Sequence, residues 1–300
     1  MIPTSRVATA AILALSGLST AAFAFDRGGL NGTGRIELEY ADIDGKSYPN
    51  ASGDISLSWR SGAVLGFDAA LDTTVLLDDG DDFTNIWGAL VLSTSVGNFS
   101  IGAPQPVTET LKVMPELTSA RIIGVEFGPL IGPKVVTDSY FDTGMTPGLA
   151  FTSTTGDLRY GLSYHQIDAA ITTIDYYEGA MVFVGDRNSY FIMGELARYP
   201  GDDETMLQIG AQHQADRYSF GAALTRAEFS SVSRSSLRLY GGYDLLPALT
   251  VKGDYLIVDN FDDLFSVSAE YRIGDVGYVE GGATYFSDDM IYDIGLGLKF

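Results

Sequence analysis

Apolar and polar residues alternate along most of the chain between Gly34 and the C-terminus. A period of two is the spacing of a β-strand with one apolar face and one polar or bare face. The pattern is clearest at the C-terminal end, where large apolar residues fill every second position: Tyr292, Ile294, Leu296, Leu298 and Phe300. The positions between them hold Asp293, Gly295, Gly297 and Lys299. The sequence therefore predicts an all-β protein.

The alternation predicts sixteen strands, most of them about ten residues long, which suits a tilted crossing of a bilayer. Their ranges are 35–42, 54–60, 65–77, 85–95, 98–103, 148–154, 158–165, 176–185, 189–199, 205–214, 218–227, 236–245, 249–258, 264–273, 276–286 and 291–300. The alternation is weak in 176–185 and 189–199, so the count is fixed only to within about two strands.

The connections between these strands are of two kinds. One kind is tight, as at Ser61-Gly62, Val96-Gly97 and Gly274-Asp275, and every second connection is longer and acidic. Short turns at one end and longer loops at the other are typical of outer-membrane barrels and not of sandwiches or propellers. Strands do not alternate with helical patterns, which excludes a doubly wound fold. The prediction is a transmembrane antiparallel β-barrel of sixteen strands.

The N-terminal segment has the pattern of a secretory signal peptide. Arg6 is its only charge, residues 7–18 are apolar and small, and Ala22-Phe23-Ala24 fits a small-x-small cleavage site. We expect residues 1–24 to be removed, which leaves a single barrel domain over residues 25–300; an uncleaved anchor is the alternative. No later stretch reaches the roughly 18 apolar residues of a spanning helix. A membrane-embedded mature chain must therefore be a closed barrel.

Composition narrows the function further. The chain has 18 basic and 39 acidic residues, and loss of Arg6 leaves 17 basic residues and a mature charge of −22. Such a surface excludes nucleic acid as a partner, because phosphate binding needs basic side chains. Cysteine is absent, so no disulfide stabilises this exported chain. The 35 glycines and 17 tyrosines suit a barrel, although a soluble sandwich or propeller can share that composition.

Regularity stops between Pro104 and Pro147, after the fifth predicted strand. Connections longer than about 15 residues are usually functional or disordered. This one is rich in apolar residues, among them Leu111, Met114 and Leu117, so it must be buried somewhere. The lumen of the barrel is the available place, and we predict that the segment 104–147 folds inward as the third long loop.

With this order of parts, the chain resembles the general bacterial outer-membrane porins, in particular the alphaproteobacterial type of about 300 residues. The most specific local match is the segment 87–102, which is similar to the porin hairpin that precedes the constriction loop. Many porins place an arginine after the last glycine of that hairpin, whereas Ala103-Pro104 follow here. The tail that ends in Phe300 also resembles the C-terminal assembly signal of outer-membrane barrels.

The resemblance implies a water-filled passive diffusion channel in the bacterial outer membrane, with no catalytic step and no required cofactor. It implies small hydrophilic solutes and ions as cargo, outer-membrane lipid and lipopolysaccharide as surroundings, and a homotrimer as the assembly. A substrate-selective channel is the alternative. The acidic balance of the chain adds a preference for cations.

In porins of this family, acids on the inward loop face bases on the wall. The charged residues of the predicted constriction are Glu109, Lys112, Glu116, Arg121, Glu126, Lys134, Asp138 and Asp142. Strand parity places these bases on the polar pore wall: Arg35, Arg60, Arg159, Arg238, Lys252 and Arg272. The plainer interpretation is that all of these side chains simply solvate a wet channel.

Four of the longer connections carry aspartate clusters. They contain Asp78, Asp79, Asp81, Asp82, Asp202, Asp203, Asp262, Asp263, Asp288 and Asp289. Carboxylates of this kind bind calcium or magnesium, which lipopolysaccharide phosphates would share. Solubility of exposed loops explains the clusters equally well.

An outer-membrane enzyme of the lipase type is the less favoured alternative function. The only histidines are His165, which parity places in the lumen, and His213, which falls near a turn at the interface. No Gly-x-Ser-x-Gly elbow is present. A structural or adhesive barrel with fewer strands is a third class, but such barrels lack a long apolar inward loop.

Overall fold

The computed structural model describes residues 26–27, 29–61, 64–78, 82–111, 114–118, 146–169, 172–229 and 232–300. The predicted signal peptide lies outside these residues, and its cleavage stays a prediction. The elements are β1 (Asp26–Arg27), β2 (Leu30–Ile43), β3 (Lys46–Ser61), β4 (Leu65–Leu76), β5 (Asp82–Thr94), β6 (Gly97–Ala103), α1 (Val107–Leu111), β7 (Gly148–Thr155), β8 (Leu158–Ala169), β9 (Thr172–Val184), β10 (Asn188–Tyr199), β11 (Asp202–Gln214), β12 (Tyr218–Phe229), β13 (Val232–Leu246), β14 (Leu249–Val258), β15 (Leu264–Ile273), β16 (Gly277–Phe286) and β17 (Asp289–Lys299).

Strands β2 to β17 form one closed antiparallel sheet of sixteen strands, as predicted. Each pairs with the next along the chain, and β17 pairs back onto β2 from Ile291 opposite Ile43 to Lys299 opposite Arg35. The C-terminal residue completes the closure, because the Phe300 N–H donates to the Gly34 carbonyl at 2.9 Å and the Gly34 N–H donates back at 2.7 Å. Closure gives each of these sixteen strands a neighbour on both sides. The two-residue strand β1 folds back on the start of β2.

The two faces of the sheet have opposite character. On β2, Leu38 and Tyr40 point outward and are exposed, whereas Glu37 and Glu39 point inward and are buried. The same alternation recurs on β17, where Ile294 is exposed on the outside. An apolar exterior around a polar interior is the arrangement of barrels that cross membranes by strands.

The predicted difference in connection length between the two ends is wrong. Five connections at the acidic end span only two residues, because the strands continue as hairpins beyond the alternating stretches. Between β2 and β3, for example, the turn is Asp44-Gly45, with positive φ of 51° and 71°, as a tight hairpin turn requires. In the extended strands the backbone N–H and C=O groups hydrogen-bond to one another, whereas in a polar loop they would hydrogen-bond to water. The acidic clusters nevertheless lie at one end of the barrel, since all follow strands that run in the same direction.

The connection between β6 and β7 is by far the longest at this end, and its described residues enter the lumen. Gly102, the second-last residue of β6, has a φ of 131°, a backbone conformation that favours glycine, and the chain then turns into the barrel. Helix α1 follows and packs against β8 and β9. Among the described residues, no helix is long and apolar enough to cross a bilayer.

Candidate functional site: the barrel lumen

The inward loop is fastened to the wall first at α1. The Glu178 carboxylate on β9 accepts hydrogen bonds from the Val107 N–H at 3.2 Å and from the Thr108 hydroxyl at 2.9 Å. The Ser163 hydroxyl donates to the same carboxylate at 2.7 Å. A carboxylate at the start of a helix satisfies N–H groups that have no partner within the helix. Val107 also rests on Gly161, where any Cβ atom would overlap it.

The second attachment lies on strands β13 and β14. The Arg238 guanidinium donates to the carbonyls of Pro115 and Glu116, both at 2.7 Å. Asp254 pairs with this guanidinium and also accepts from the Thr118 N–H at 3.3 Å. Residues 107–111 are therefore attached to the β8–β9 wall, and residues 114–118 to the β13–β14 wall, inside the barrel.

Behind this segment many of the inward side chains are apolar, and they lie beside the buried carboxylates of Glu178, Glu195 and Glu204. We call the inner faces of β9 to β12 the packed side. Its cluster comprises Val107, Leu111, Ala180, Val182, Phe191, Met193, Met206, Ala223 and Ala227. Met114 packs against this cluster and against a second one, which lies nearer the acidic end: Ala41, Leu256, Val258, Leu264 and Ile291. Hydrophobic burial therefore holds the loop inside between its two polar attachments.

In front of the segment the wall is charged. We call the inner faces of β15 to β17 and β2 to β4 the open side, apart from the second apolar cluster near their acidic ends. Lys252, on the neighbouring strand β14, reaches Glu270 at 2.9 Å and Glu280 at 3.0 Å, and Lys299 reaches Glu270 at 2.7 Å. Arg35 pairs with Glu37 and lies 3.4 Å from Glu280. These ion pairs form a continuous network along the wall.

The loop and the open side meet at Glu116 and Arg35. Their charged groups are 3.6 Å apart, and the Glu116 side chain is 59% exposed. Glu109, on α1, is also exposed to the lumen. Enclosure within the barrel, and then the carboxylates of Asp72 and Glu116, raise the pKa of Glu109 to about 8. The narrowed part of the lumen is therefore lined by acids on the loop and by acids and bases on the wall.

The predicted wall bases lie at different depths. Arg35, Arg238 and Lys252 lie beside the loop or the network that faces it. The other predicted bases lie close to the tight turns: Arg60, Arg159 and Arg272. Arg60 pairs with Asp68, and Arg272 donates to the Pro247 carbonyl.

Of the predicted constriction residues, only Glu109 and Glu116 fall among those described. The others lie outside the described residues: Lys112, Arg121, Glu126, Lys134, Asp138 and Asp142.

The predicted metal residues lie at the acidic end or outside the described residues. Those with described side chains are Asp78, Asp202, Asp203, Asp262, Asp263, Asp288 and Asp289. Asp79 and Asp81 are not described, and Asp82 begins β5. No group of three or more metal-ligating side chains occurs within the described part of the chain. The calcium or magnesium interpretation stays a prediction.

Three important lumen residues were missed by the sequence analysis: Glu178, Glu280 and Lys299. Glu280 and Lys299 follow the polar parity of their strands, so the signal was present. Glu178 gave no such signal, because its inward neighbours Ala180 and Val182 are apolar and obscure the alternation of β9.

Both histidines lie where strand parity predicted. His165 is buried on the inner face of β8, with its Nε2 atom 3.9 Å from Glu178. The Ser163 hydroxyl donates to Glu178 and not to the imidazole, which is not the relay that a Ser-His-acid site needs. His213 stacks on the outside with Phe220, their ring centres 5.2 Å apart, as in an interface girdle.

Solved structures share this fold. A variant of the porin of Rh. blastica matches with a TM-score of 0.67 and 17% identity, covering 90% of this chain and 100% of that one. A second variant matches with a TM-score of 0.64 and 18% identity over the same shares. A triple mutant of the Rhodopseudomonas blastica porin gives a TM-score of 0.65 at 17% identity, again over 90% of this chain. No protein-family model and no curated protein sequence matches the chain. At these identities the similarity concerns the fold, and the chain has the sixteen-stranded barrel fold of that porin.

Proposed function

We propose that the chain forms a passive diffusion channel for small hydrophilic solutes and ions in the bacterial outer membrane. The observation that carries the proposal is that residues 107–111 and 114–118 lie inside the barrel, attached to the β8–β9 wall and to the β13–β14 wall. Their acids Glu109 and Glu116 remain exposed to the lumen. Water and solutes pass along the open side, between the loop and the strands that carry Arg35 and Asp72.

The charges along this path favour cations. Three bases belong to the ion-pair network of the open side, Arg35, Lys252 and Lys299, and each is paired with at least one carboxylate. Glu116 exposes its carboxylate to the lumen, and Glu109 adds negative charge at pH values above its raised pKa of about 8. Selectivity in a wet pore follows the sign of the field at its narrowest point. The mature charge of −22 acts in the same sense at the mouths.

The test is electrical. The mature protein, refolded and inserted into planar bilayers, is expected to give steady ohmic current and a cation-selective reversal potential in a salt gradient. Replacing Glu109→Gln and Glu116→Gln together should lower that preference, whereas Asp244→Asn, at the tight-turn end beside Thr250, serves as the control. Absence of current, or anion selectivity of the unmodified protein, contradicts the proposal.

The solute range, the oligomeric state and the binding of lipopolysaccharide are proposed from the resemblance to general porins. Liposome swelling with sugars of graded size separates a general pore, whose rates fall smoothly with solute mass, from a substrate-selective channel. A homotrimer is expected from native mass measurement in detergent. Binding of lipopolysaccharide that is lost on chelation of divalent cations would support the proposed role of the acidic loops.

A further inference from the structure

A buried ion pair on β13 and β14 directs its hydrogen bonds at the backbone of the inward loop. Arg238 is 2% exposed, and its Nε atom donates to both carboxylate oxygens of Asp254, at 2.9 and 3.0 Å. The Nη1 and Nη2 atoms donate to the carbonyls of Pro115 and Glu116. Asp254 accepts in turn from the Thr118 N–H. Three polar contacts therefore hold the segment 115–118 against one wall.

Stability of the barrel does not explain this pair. Burying a guanidinium and a carboxylate costs desolvation free energy that their attraction often only offsets, and apolar residues of similar volume commonly replace such pairs without loss. The sixteen-stranded ladder and the apolar clusters stabilise the barrel independently of it. The guanidinium has a rigid fork of five N–H donors, and here the fork fixes two successive carbonyls in space.

Fixing the carbonyl of Glu116 also fixes its side chain. The Glu116 carboxylate lies 3.6 Å from Arg35 on β2, while its backbone is held by Arg238 on β13. At this point the loop lies between two arginines on different strands. Arg238 binds the backbone carbonyl of Glu116, and Arg35 lies beside its side-chain carboxylate.

We propose that Arg238, oriented by Asp254, is a positioning residue that sets the charge and the width of the pore by holding Glu116 opposite Arg35. The inference rests on the proposed function for its consequence on ion flow. Arg238 itself takes no direct part in conduction, because it is buried behind the segment that it holds. Without the pair, Met114 and Leu117 keep their apolar contacts. The backbone of the segment 115–118, however, is no longer held in one position.

The chain contains no cysteine, so a single Glu116→Cys substitution reports on this segment alone. Its rate of modification by a cationic methanethiosulfonate reagent is measured in three backgrounds: otherwise unmodified, Arg238→Met with Asp254→Leu, and Arg226→Met. Arg226, on β12, contacts Ser235 and Glu228 and serves as the matched control. The rate should change by about two- to fivefold only in the double background, because residue 116 there loses the backbone hydrogen bonds that fix its position, each of modest net free energy. Unchanged rates in that background overturn the proposal.

Ion flow gives the second readout, with Glu116 retained. The same double substitution is expected to increase current noise and to lower the cation-over-anion permeability ratio, whereas Arg226→Met changes neither. Arg238→Lys keeps the charge for Asp254 but lacks the fork, so it should reproduce part of both effects. If the double variant does not assemble, an Arg238→Lys channel indistinguishable from the unmodified one overturns the proposal. An unmodified protein that is anion-selective contradicts the proposed function, while the labelling rates still report on the positioning role.

Discussion

The two sides of the lumen are built from strands of the same kind and differ only in their inward residues. On the packed side these are Ala180, Val182, Phe191 and Met193, which receive the loop. On the open side they are charged groups such as Glu270 and Glu280 within a network of ion pairs. The outer face is apolar around both sides. The inward residues of a strand therefore decide whether the adjoining lumen is lined by an apolar cluster or by a charged wall.

The largest expected effect is on stability, where a new charge on the packed side should cost far more unfolding free energy than one on the open side. Met193→Asp puts a carboxylate into the apolar cluster and should cost about 3–5 kcal/mol of unfolding free energy, as unpaired buried charges do. Ser58→Asp, on the half-buried inner face of β3, should cost less than about 1 kcal/mol, because water still solvates the new charge. Denaturant unfolding of both variants in detergent measures the difference, and equal losses would contradict a packed side.

Neutralising one buried glutamate on each side should separate anchoring from selectivity. Glu178→Gln weakens the hydrogen bonds at the start of α1, by about 1–3 kcal/mol in total for contacts of a charged acceptor, so single-channel current should become larger or noisier. Glu270→Gln removes the shared partner of Lys252 and Lys299, so cation preference should fall while the current noise is unchanged. The distinction fails if both substitutions give the same change.

The pH dependence sharpens the assignment of Glu109. Because its pKa is raised to about 8, the carboxyl is neutral below that pH and ionises as pH rises through it. Cation preference should therefore increase between mildly acidic and mildly alkaline pH. Reversal potentials across this range measure the change, and Glu109→Gln should flatten the profile. A profile that keeps its slope in this variant would assign the titration to another group.

The smallest expected effect is that of salt. Ions in the open side and at the mouths interact with the fixed charges through water, so dissolved salt screens the interaction. The Debye length falls from about 10 Å at 0.1 M to about 3 Å at 1 M. Cation preference should decrease across this range, as measured by reversal potentials at a constant concentration ratio. A preference that is constant with salt would place the selective charges where water does not screen them.

Much of the fold was predictable because strand parity is local. The alternation on β2 and β17 predicts their outward faces and their pairing across the closure, which Arg35 opposite Lys299 confirms. The strand ends were not predictable, since the hairpin at Asp44-Gly45 extends β2 and β3 through residues without apolar alternation. Beyond the membrane the outward residues are polar as well, so the sequence there lacks the apolar–polar alternation that indicates a strand.

The site was predictable only in part. Parity placed Arg35, Arg238 and Lys252 in the lumen, but their partners depend on which strands become neighbours and where the loop crosses. The weak alternation of β9 and β10 was itself the signal of the packed side, because apolar residues face inward there to bury the loop. Glu178 lies within that stretch, so its role as the anchor of α1 required the three-dimensional structure.

In the proposed channel, water passes along the open side alone. Cysteine accessibility tests this path most directly. Single cysteines at Ser56 and Asp72 on the open side, and at Ala180 and Ala223 on the packed side, are introduced into the cysteine-free chain. The account predicts that a membrane-impermeant methanethiosulfonate reagent modifies the open-side cysteines rapidly and reduces the current, while the packed-side cysteines remain unmodified in the assembled barrel. Rapid modification at Ala180 or Ala223, with current block equal to that at Asp72, would contradict it.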